Sequence, residues 1–251
     1  MQTRLGTVWI TRTPEGAKRT ARSVEALGFE ALVAPVLKVR PIRALIDPHS
    51  FDAIIVTSRN ALNAFCELCP RRSITVWCVG DSTAEAARAK KFQHIVSAEG
   101  DVNALQALLL KEADKSTRML YIAPKDPAAP LTQTLHAKGF KIKETAVYET
   151  LPVVPVLTAA EVARLTHVLI HSPKAACALA TVMKTLPILK TFPDKLALET
   201  IPFLCISEAA AQALDEAMAN TGTKNSSDPR LVKRISKFPD EASLLMLLQD
   251  A

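Results

Sequence analysis

The chain contains no apolar run near the roughly 18–20 residues that a membrane span requires. Met1-Gln2-Thr3-Arg4-Leu5 does not open onto the apolar segment of a signal peptide, so neither a membrane partner nor export is expected. Glycine is scarce, seven residues against 16 prolines, which argues against a phosphate site wrapped by glycines. Neither G-x-G-x-x-G, G-x-x-x-x-G-K-[ST] nor G-x-S-x-G occurs. Aromatics make up only 5%, the basic residues are dispersed, and no DNA- or RNA-reading motif is present. The net charge of +6 therefore favours an anionic partner other than nucleic acid. The five cysteines (66, 69, 78, 177 and 205) are an odd number and form no disulfide framework, which points to a reducing cytoplasm. Cys78, Cys177 and Cys205 lie in apolar runs and are expected to be buried. No metal site is expected. His167 and His171 flank a predicted strand, where four-residue spacing does not converge on one ion, and Cys66-x-x-Cys69 has no second pair.

What is present is an ordinary globular composition, 49% apolar and 22% charged, of a length that suits one large or two small domains. Short β-rich runs alternate with helical stretches throughout. Strands are predicted over 7–11, 31–36, 52–57, 74–79, 94–97, 119–123, 141–148, 168–171, 202–206 and 231–235. Helices are predicted over 14–27, 58–68, 82–90, 102–112, 128–138, 158–165, 173–185, 207–220 and 239–249, with a polar loop at 221–229. This alternation implies βαβ units and parallel sheets.

Four blocks recur in the same order. Thr11-Arg12-Thr13-Pro14 through Gly28-Phe29 to Ala34-Pro35-Val36 is echoed by Ala123-Pro124-Lys125-Asp126-Pro127 through Gly139-Phe140 to Ala146-Val147-Tyr148. Val56-Thr57-Ser58-Arg59-Asn60-Ala61 is echoed by Ile170-His171-Ser172-Pro173-Lys174-Ala175. Cys78-Val79-Gly80-Asp81 is echoed by Cys205-Ile206-Ser207-Glu208, and Gly100-Asp101-Val102 by Pro239-Asp240-Glu241. Two similar α/β units follow, with the Pro-bearing stretches 37–49 and 150–154 as linkers.

The remaining candidates for chemistry are strand-to-helix turns: Thr11-Arg12-Thr13, Thr57-Ser58-Arg59-Asn60, Gly80-Asp81-Ser82-Thr83, Ser172-Pro173-Lys174 and Ser207. At the C-terminal ends of parallel strands such turns meet ligands, and helix N-termini suit anions. Each is equally explained by N-capping alone; five together favour an anion site. Tyr148, one of two tyrosines, ends a strand just before the second linker. From there its phenol would face a cleft between the units and could donate a proton to a leaving oxygen.

The ordered motifs resemble the uroporphyrinogen-III synthase family. They are Ile10-Thr11-Arg12, Leu27-Gly28 with Pro35, Phe51 to Ser58 with Ala61, Val79 to Ala84, Gly139 with Val147-Tyr148-Glu149-Thr150, His171-Ser172-Pro173 and Ile206-Ser207. The resemblance implies two flavodoxin-like lobes, each a parallel sheet flanked by helices, joined by a two-segment crossover. One lobe would hold residues 1–36 and 155–251, the other 50–149. It also implies a monomer without metal or cofactor that cyclises hydroxymethylbilane, a linear tetrapyrrole bearing many carboxylates, with inversion of ring D. Tyr148 would assist loss of the terminal hydroxyl. Thr57, Ser58, Gly80, Ser82, Thr83, Ser172 and Ser207 would hold carboxylates, with Arg12, Arg59 and Lys174 as charge partners. The chain departs from the family where Glu208-Ala209-Ala210 follows Ser207 and where residues 128–132 lack an Arg-Glu pair. A non-catalytic bilobed module binding an anion is the alternative. A receiver-like pair is disfavoured, because the first strand ends in Thr11-Arg12-Thr13 rather than clustered acids.

Overall fold

The computed structural model describes residues 5–127, 129–185, 201–219 and 231–249. The strands, in chain order, are β1 (Thr7–Ile10), β2 (Glu30–Val33), β3 (Leu37–Pro41), β4 (Ala53–Val56), β5 (Thr75–Cys78), β6 (His94–Ser97), β7 (Arg118–Pro124), β8 (Lys141–Pro152), β9 (Leu165–Ile170), β10 (Phe203–Cys205) and β11 (Lys233–Ile235). The chain divides into two compact units, Met1–Lys38 with Leu151–Ala251, and Val39–Thr150.

In the first unit the described strands form one sheet in the order β11-β10-β9-β1-β2, all pairs parallel. The sheet is buried on both faces, which is why β1 reads as the unbroken apolar run Thr-Val-Trp-Ile. Val8 and Ile10 pack with Ala17, Ala21 and Val24 of the Pro14–Ala26 helix and with Leu244 and Leu245. Trp9, on the other face, packs with Leu179 of the Pro173–Thr185 helix and Leu214 of the Glu208–Ala219 helix. In that first helix Cys177 is exposed, contrary to expectation. Ala175, Ala176, Ala178 and Leu179 take the inward face, which leaves Lys174, Cys177 and Thr181 on an outward stripe. Cys78 and Cys205 are buried as expected.

The second unit has a six-stranded sheet in the order β3-β8-β7-β4-β5-β6. The pairs from β8 to β6 are parallel. Ile54 and Val56 of β4 pack against Leu62 and Phe65 of the Arg59–Leu68 helix, while Ala53 and Ile55 face Leu105 and Leu109 of the Val102–Glu112 helix.

Two strand predictions differ by more than three residues. The stretch expected to be a bare linker after Val36 contains β3, and the strand expected to end at Tyr148 runs on to Pro152. The Val153 N–H donates to the Val36 carbonyl and the Ile42 N–H to the Val147 carbonyl, both at 2.9 Å. Partner numbers fall as strand numbers rise, so β3 is an antiparallel edge on an otherwise parallel sheet. Lys38 and Arg40 point outward from it, as an edge strand favours. The predicted 221–229 loop lies outside the described residues.

The first unit has the flavodoxin-like order 2-1-3-4-5; the second, with β3 as an addition, reads 3-2-1-4-5 in its own chain order and takes the same spatial arrangement once β7 and β8 are matched to β1 and β2 through the repeat. The sequence echo is a structural echo too. Gly28 and Gly139 both adopt positive φ, +88° and +86°, where an L side chain is strained. Each ends its helix the same way, with the next residue's N–H (Phe29, Phe140) bonded five residues back, to Val24 and to Leu135. Ser58 and Ser172 cap their helices identically, accepting from Ala61 N and Ala175 N at 3.1 Å each.

Candidate functional site

A sheet of this order has one place where successive connections leave in opposite directions. The crevice beyond the strand ends there is where ligands bind. In the second unit it lies between β4 and β7, in the first between β9 and β1.

In the second unit Thr57 and Ser58 leave the C-terminal end of β4. Ser58 is the N-cap of the Arg59–Leu68 helix, so one lone pair of its Oγ is committed to Ala61 N. The Tyr148 hydroxyl lies 3.0 Å from the same oxygen. Tyr148 is only 6% exposed, and its ring belongs to the apolar cluster of Ile54, Val56 and Phe65. Burial pushes the phenol above its ordinary range, with the Ser58 hydrogen bond as a smaller opposing effect. The Tyr148 carbonyl accepts from Lys125 N at 2.8 Å, fixing the backbone of β8 against the end of β7. This is a neutral, protonated phenol anchored to a capped turn at the crevice.

Arg59 bridges the two neighbouring turns of this unit. Its Nε donates to the Ser82 carbonyl at 2.8 Å, and its Nη2 lies 3.8 Å from Glu85. Gly80 is the N-cap of the Asp81–Ala89 helix with extended backbone (φ −166°). A Cβ there would sit 3.4 Å from the Gly100 carbonyl, in van der Waals contact. Ser82 is exposed, whereas Thr83 is buried and its N–H bonds back to Gly80 O. The structure thus gathers Thr57, Ser58, Arg59, Gly80, Ser82 and Tyr148 along adjacent strand ends and turns Thr83 inward.

In the first unit Ser172 and Ser207 cap their helices through Ala175 N and Ala210 N. Lys174 is exposed in the first turn after Ser172, and Glu208 in the first turn after Ser207. Arg12 folds back over Gly16, where any Cβ would collide with it. Its Nη1 reaches Thr20 Oγ1 at 3.2 Å and Glu241 Oε2 at 3.1 Å, while Arg19 lies 3.7 Å from the same carboxylate. His167 sits inside β9 rather than beside it. His171 follows β9, and neither ring nitrogen has a hydrogen bond among the described residues, although both are shut off from solvent. Burial first, then the charges of Arg12 and Arg19, hold this imidazole well below its usual range.

Two features escaped sequence reasoning. Tyr121 of β7 lies 3.3 Å from Thr57 Oγ1 through its hydroxyl. Glu149 is nearly buried and ion-paired with Arg40 and, at 3.6 Å, with Lys125. The Arg40 hydrogen bond, helped by Lys125, keeps this carboxyl below the usual range. The first could be suspected from β7 lying next to β4; the second depends on β3, which was not predicted. At the 128–132 departure, Thr132 is bonded to Glu144, and Ala128 lies outside the described residues. Among the described residues no three His, Cys, Asp or Glu side chains gather where a metal could sit.

Residues 18–231 match the family described as uroporphyrinogen-III synthase HemD. Two solved structures share the fold. The uroporphyrinogen-III synthetase of Helicobacter pylori is 19% identical, with 99% of each chain covered and a TM-score of 0.63. A mutant uroporphyrinogen III synthase of Thermus thermophilus is 15% identical, with 98% of each chain covered and a TM-score of 0.53. No curated protein sequence matches the chain.

Proposed function

The chain belongs to the uroporphyrinogen-III synthase family, cofactor-independent lyases that cyclise hydroxymethylbilane with inversion of ring D to form uroporphyrinogen III, and from that premise we propose how its residues serve the reaction. Tyr148 is the acid. Its O–H donates to the terminal hydroxyl of the substrate as the carbon–oxygen bond breaks, and water leaves. The resulting electrophilic carbon is attacked by a pyrrole carbon, and rearomatisation after closure releases a proton that restores the phenol. The sum is substrate less one water. A buried phenolate is unfavourable, so Tyr148 donates only as the leaving oxygen gains charge and recovers its proton in the same turnover. Ser58, 3.0 Å away, is placed to donate to the transient phenolate.

The strand-end turns bind the carboxylates. Backbone N–H groups and hydroxyls of Thr57, Ser58, Gly80 and Ser82 serve in one unit and of Ser172 and Ser207 in the other, while Thr83, turned inward, supports the Gly80 turn from behind. Arg12, Arg59 and Lys174 add charge. Arg12 also contacts Glu241, and Arg59 contacts Glu85. A polyanion that cyclises readily once water has left needs positioning more than a strong base. The protein is further proposed to work as a cytoplasmic monomer, in keeping with five unpaired cysteines.

The observation that carries this reading is the buried Tyr148 phenol on the Ser58 cap. Tyr148→Phe is expected to lower kcat about 100-fold with an unchanged melting temperature. The assay uses freshly made hydroxymethylbilane and separates the type III product from the spontaneous type I isomer. Wild-type kcat in the variant removes Tyr148 from the chemistry.

A further inference from the structure

The chain contains only two tyrosines, and both reach the same turn. Tyr148 meets Ser58 Oγ at 3.0 Å, and Tyr121 meets Thr57 Oγ1 at 3.3 Å. They arrive from opposite faces of the sheet. Tyr148 belongs to the cluster containing Ile54 and Val56, Tyr121 to the one containing Ala53 and Ile55. Tyr121 is 2% exposed and sits on β7 opposite Ile55 of β4, so its hydroxyl spans the β4–β7 crevice.

The fold does not require these phenols, because its own repeat is built without them. Val56-Thr57-Ser58 corresponds to Ile170-His171-Ser172, and hence Ile55 to Leu169. Tyr121 pairs with Ile55, and the residue paired with Leu169 is Ile10. Ala146-Val147-Tyr148 corresponds to Ala34-Pro35-Val36. The first unit therefore closes the same sheet, around the same serine cap, with Ile10 and Val36 where the second unit has Tyr121 and Tyr148. Neither phenol is explained by sheet packing alone.

We infer that Tyr121 is a positioning residue for the cyclisation: by holding Thr57 from one face of the sheet it fixes the turn that presents Ser58 to Tyr148 on the other. This rests on the assignment of Tyr148 as the acid. Thr57 and Ser58 are consecutive, so a rotation of the Thr57 backbone carries the Ser58 hydroxyl with it. With Tyr121 in place, that rotation is tied to a buried residue of the neighbouring strand. Without it, the Ser58 cap and both sheets remain, but the turn that carries the Ser58 hydroxyl is held toward Tyr148 by the cap alone.

The test is a double-mutant cycle on the intact chain, read as kcat, KM and the fraction of type III product. Tyr121→Phe keeps the buried ring and loses the hydroxyl. It is expected to lower kcat about five- to tenfold, the scale of one lost hydrogen bond, with KM unchanged. Thr57→Val removes the other half of the contact, so its kcat loss should be the same size, and the two together should lose no more than either alone. In a Tyr148→Phe background Tyr121→Phe should cause no further loss. Labelling the tyrosine ring carbon next to oxygen with carbon-13 gives two NMR signals, and Tyr121→Phe should shift the one that remains. If Tyr148→Phe loses activity but Tyr121→Phe retains wild-type kcat, or loses the same factor in both backgrounds, the inference fails and the assignment of Tyr148 stands. If Tyr148→Phe itself retains wild-type kcat, that assignment fails and the positioning role falls with it.

Discussion

At the scale of single residues, the two units use corresponding positions differently. Thr57 and His171 follow matching strands. Thr57 has a phenol partner, whereas both nitrogens of His171 are shielded and lack a hydrogen-bond partner among the described residues. An unsatisfied buried polar group costs about 1–3 kcal/mol. The folded state also keeps His171 neutral, while the unfolded chain takes up a proton below about pH 6.5. With the folded pKa depressed, stability is complete above that value and falls as pH drops through it. His171→Leu should therefore raise stability at pH 7.5 and flatten its decline between pH 6.5 and 5. Urea melts across that range check both, and an unchanged slope would show that His171 does not drive the decline. Legibility at this scale was uneven. Tyr148 and the capping serines stand out in sequence because strand ends and small polar residues mark them. Tyr121 does not, because it looks like any apolar strand residue until β7 is known to lie beside β4. Cys177 differs from expectation because an apolar run within a helix, here residues 175–180, still has an outward stripe.

At the scale of elements, β4 and β7 are joined at both ends. At the crevice end Tyr121 meets Thr57. At the opposite end Arg118 grips Asp52, with Nε donating to Oδ2 at 2.9 Å and Nη2 to Oδ1 at 2.7 Å, beside a backbone bond from Asp52 N to Arg118 O at 2.8 Å. The paired guanidinium geometry makes this more than a loose surface contact. The Arg118 hydrogen bond lowers the Asp52 carboxyl to about 2. A depressed carboxyl contributes fully above the unfolded value near 3.9, and the contribution is lost as pH falls through about 2. Asp52→Asn should accordingly destabilise the protein at pH 7, and the gap to wild type should close between pH 4 and 2. Thermal melts over that interval check it; a gap independent of pH would mean the ion pair contributes nothing. Element prediction succeeded where periodicity was undisturbed, as in the central strands buried on both faces. It failed at β3, where Lys38, Arg40 and Pro41 break a short edge strand whose pairing comes from residues more than a hundred positions away.

At the scale of the whole molecule, the repeat was the most legible feature. Matching glycines at +88° and +86°, matching serine caps and matching strand orders all follow from blocks that can be aligned by eye. The duplicated framework explains the fold, and the proposed site rests on departures between the copies, where Ile10 and Val36 in one correspond to Tyr121 and Tyr148 in the other. The second unit is also continuous in sequence, Val39–Thr150. A fragment spanning residues 36–153 contains β3 to β8 and should unfold cooperatively by itself, as followed by circular dichroism; a broad, featureless melt would show that it depends on the rest of the chain. The first unit has no such independence. β1 lies between β2 and β9, and β9 begins at Leu165. During synthesis the βαβ segment of β1 and β2 must therefore wait with one edge of β1 unpaired while residues 39–150 are made and fold ahead of its completion. Two strands made before the second unit find their third neighbour only after it, and the growing enzyme is most exposed to misassembly during that interval.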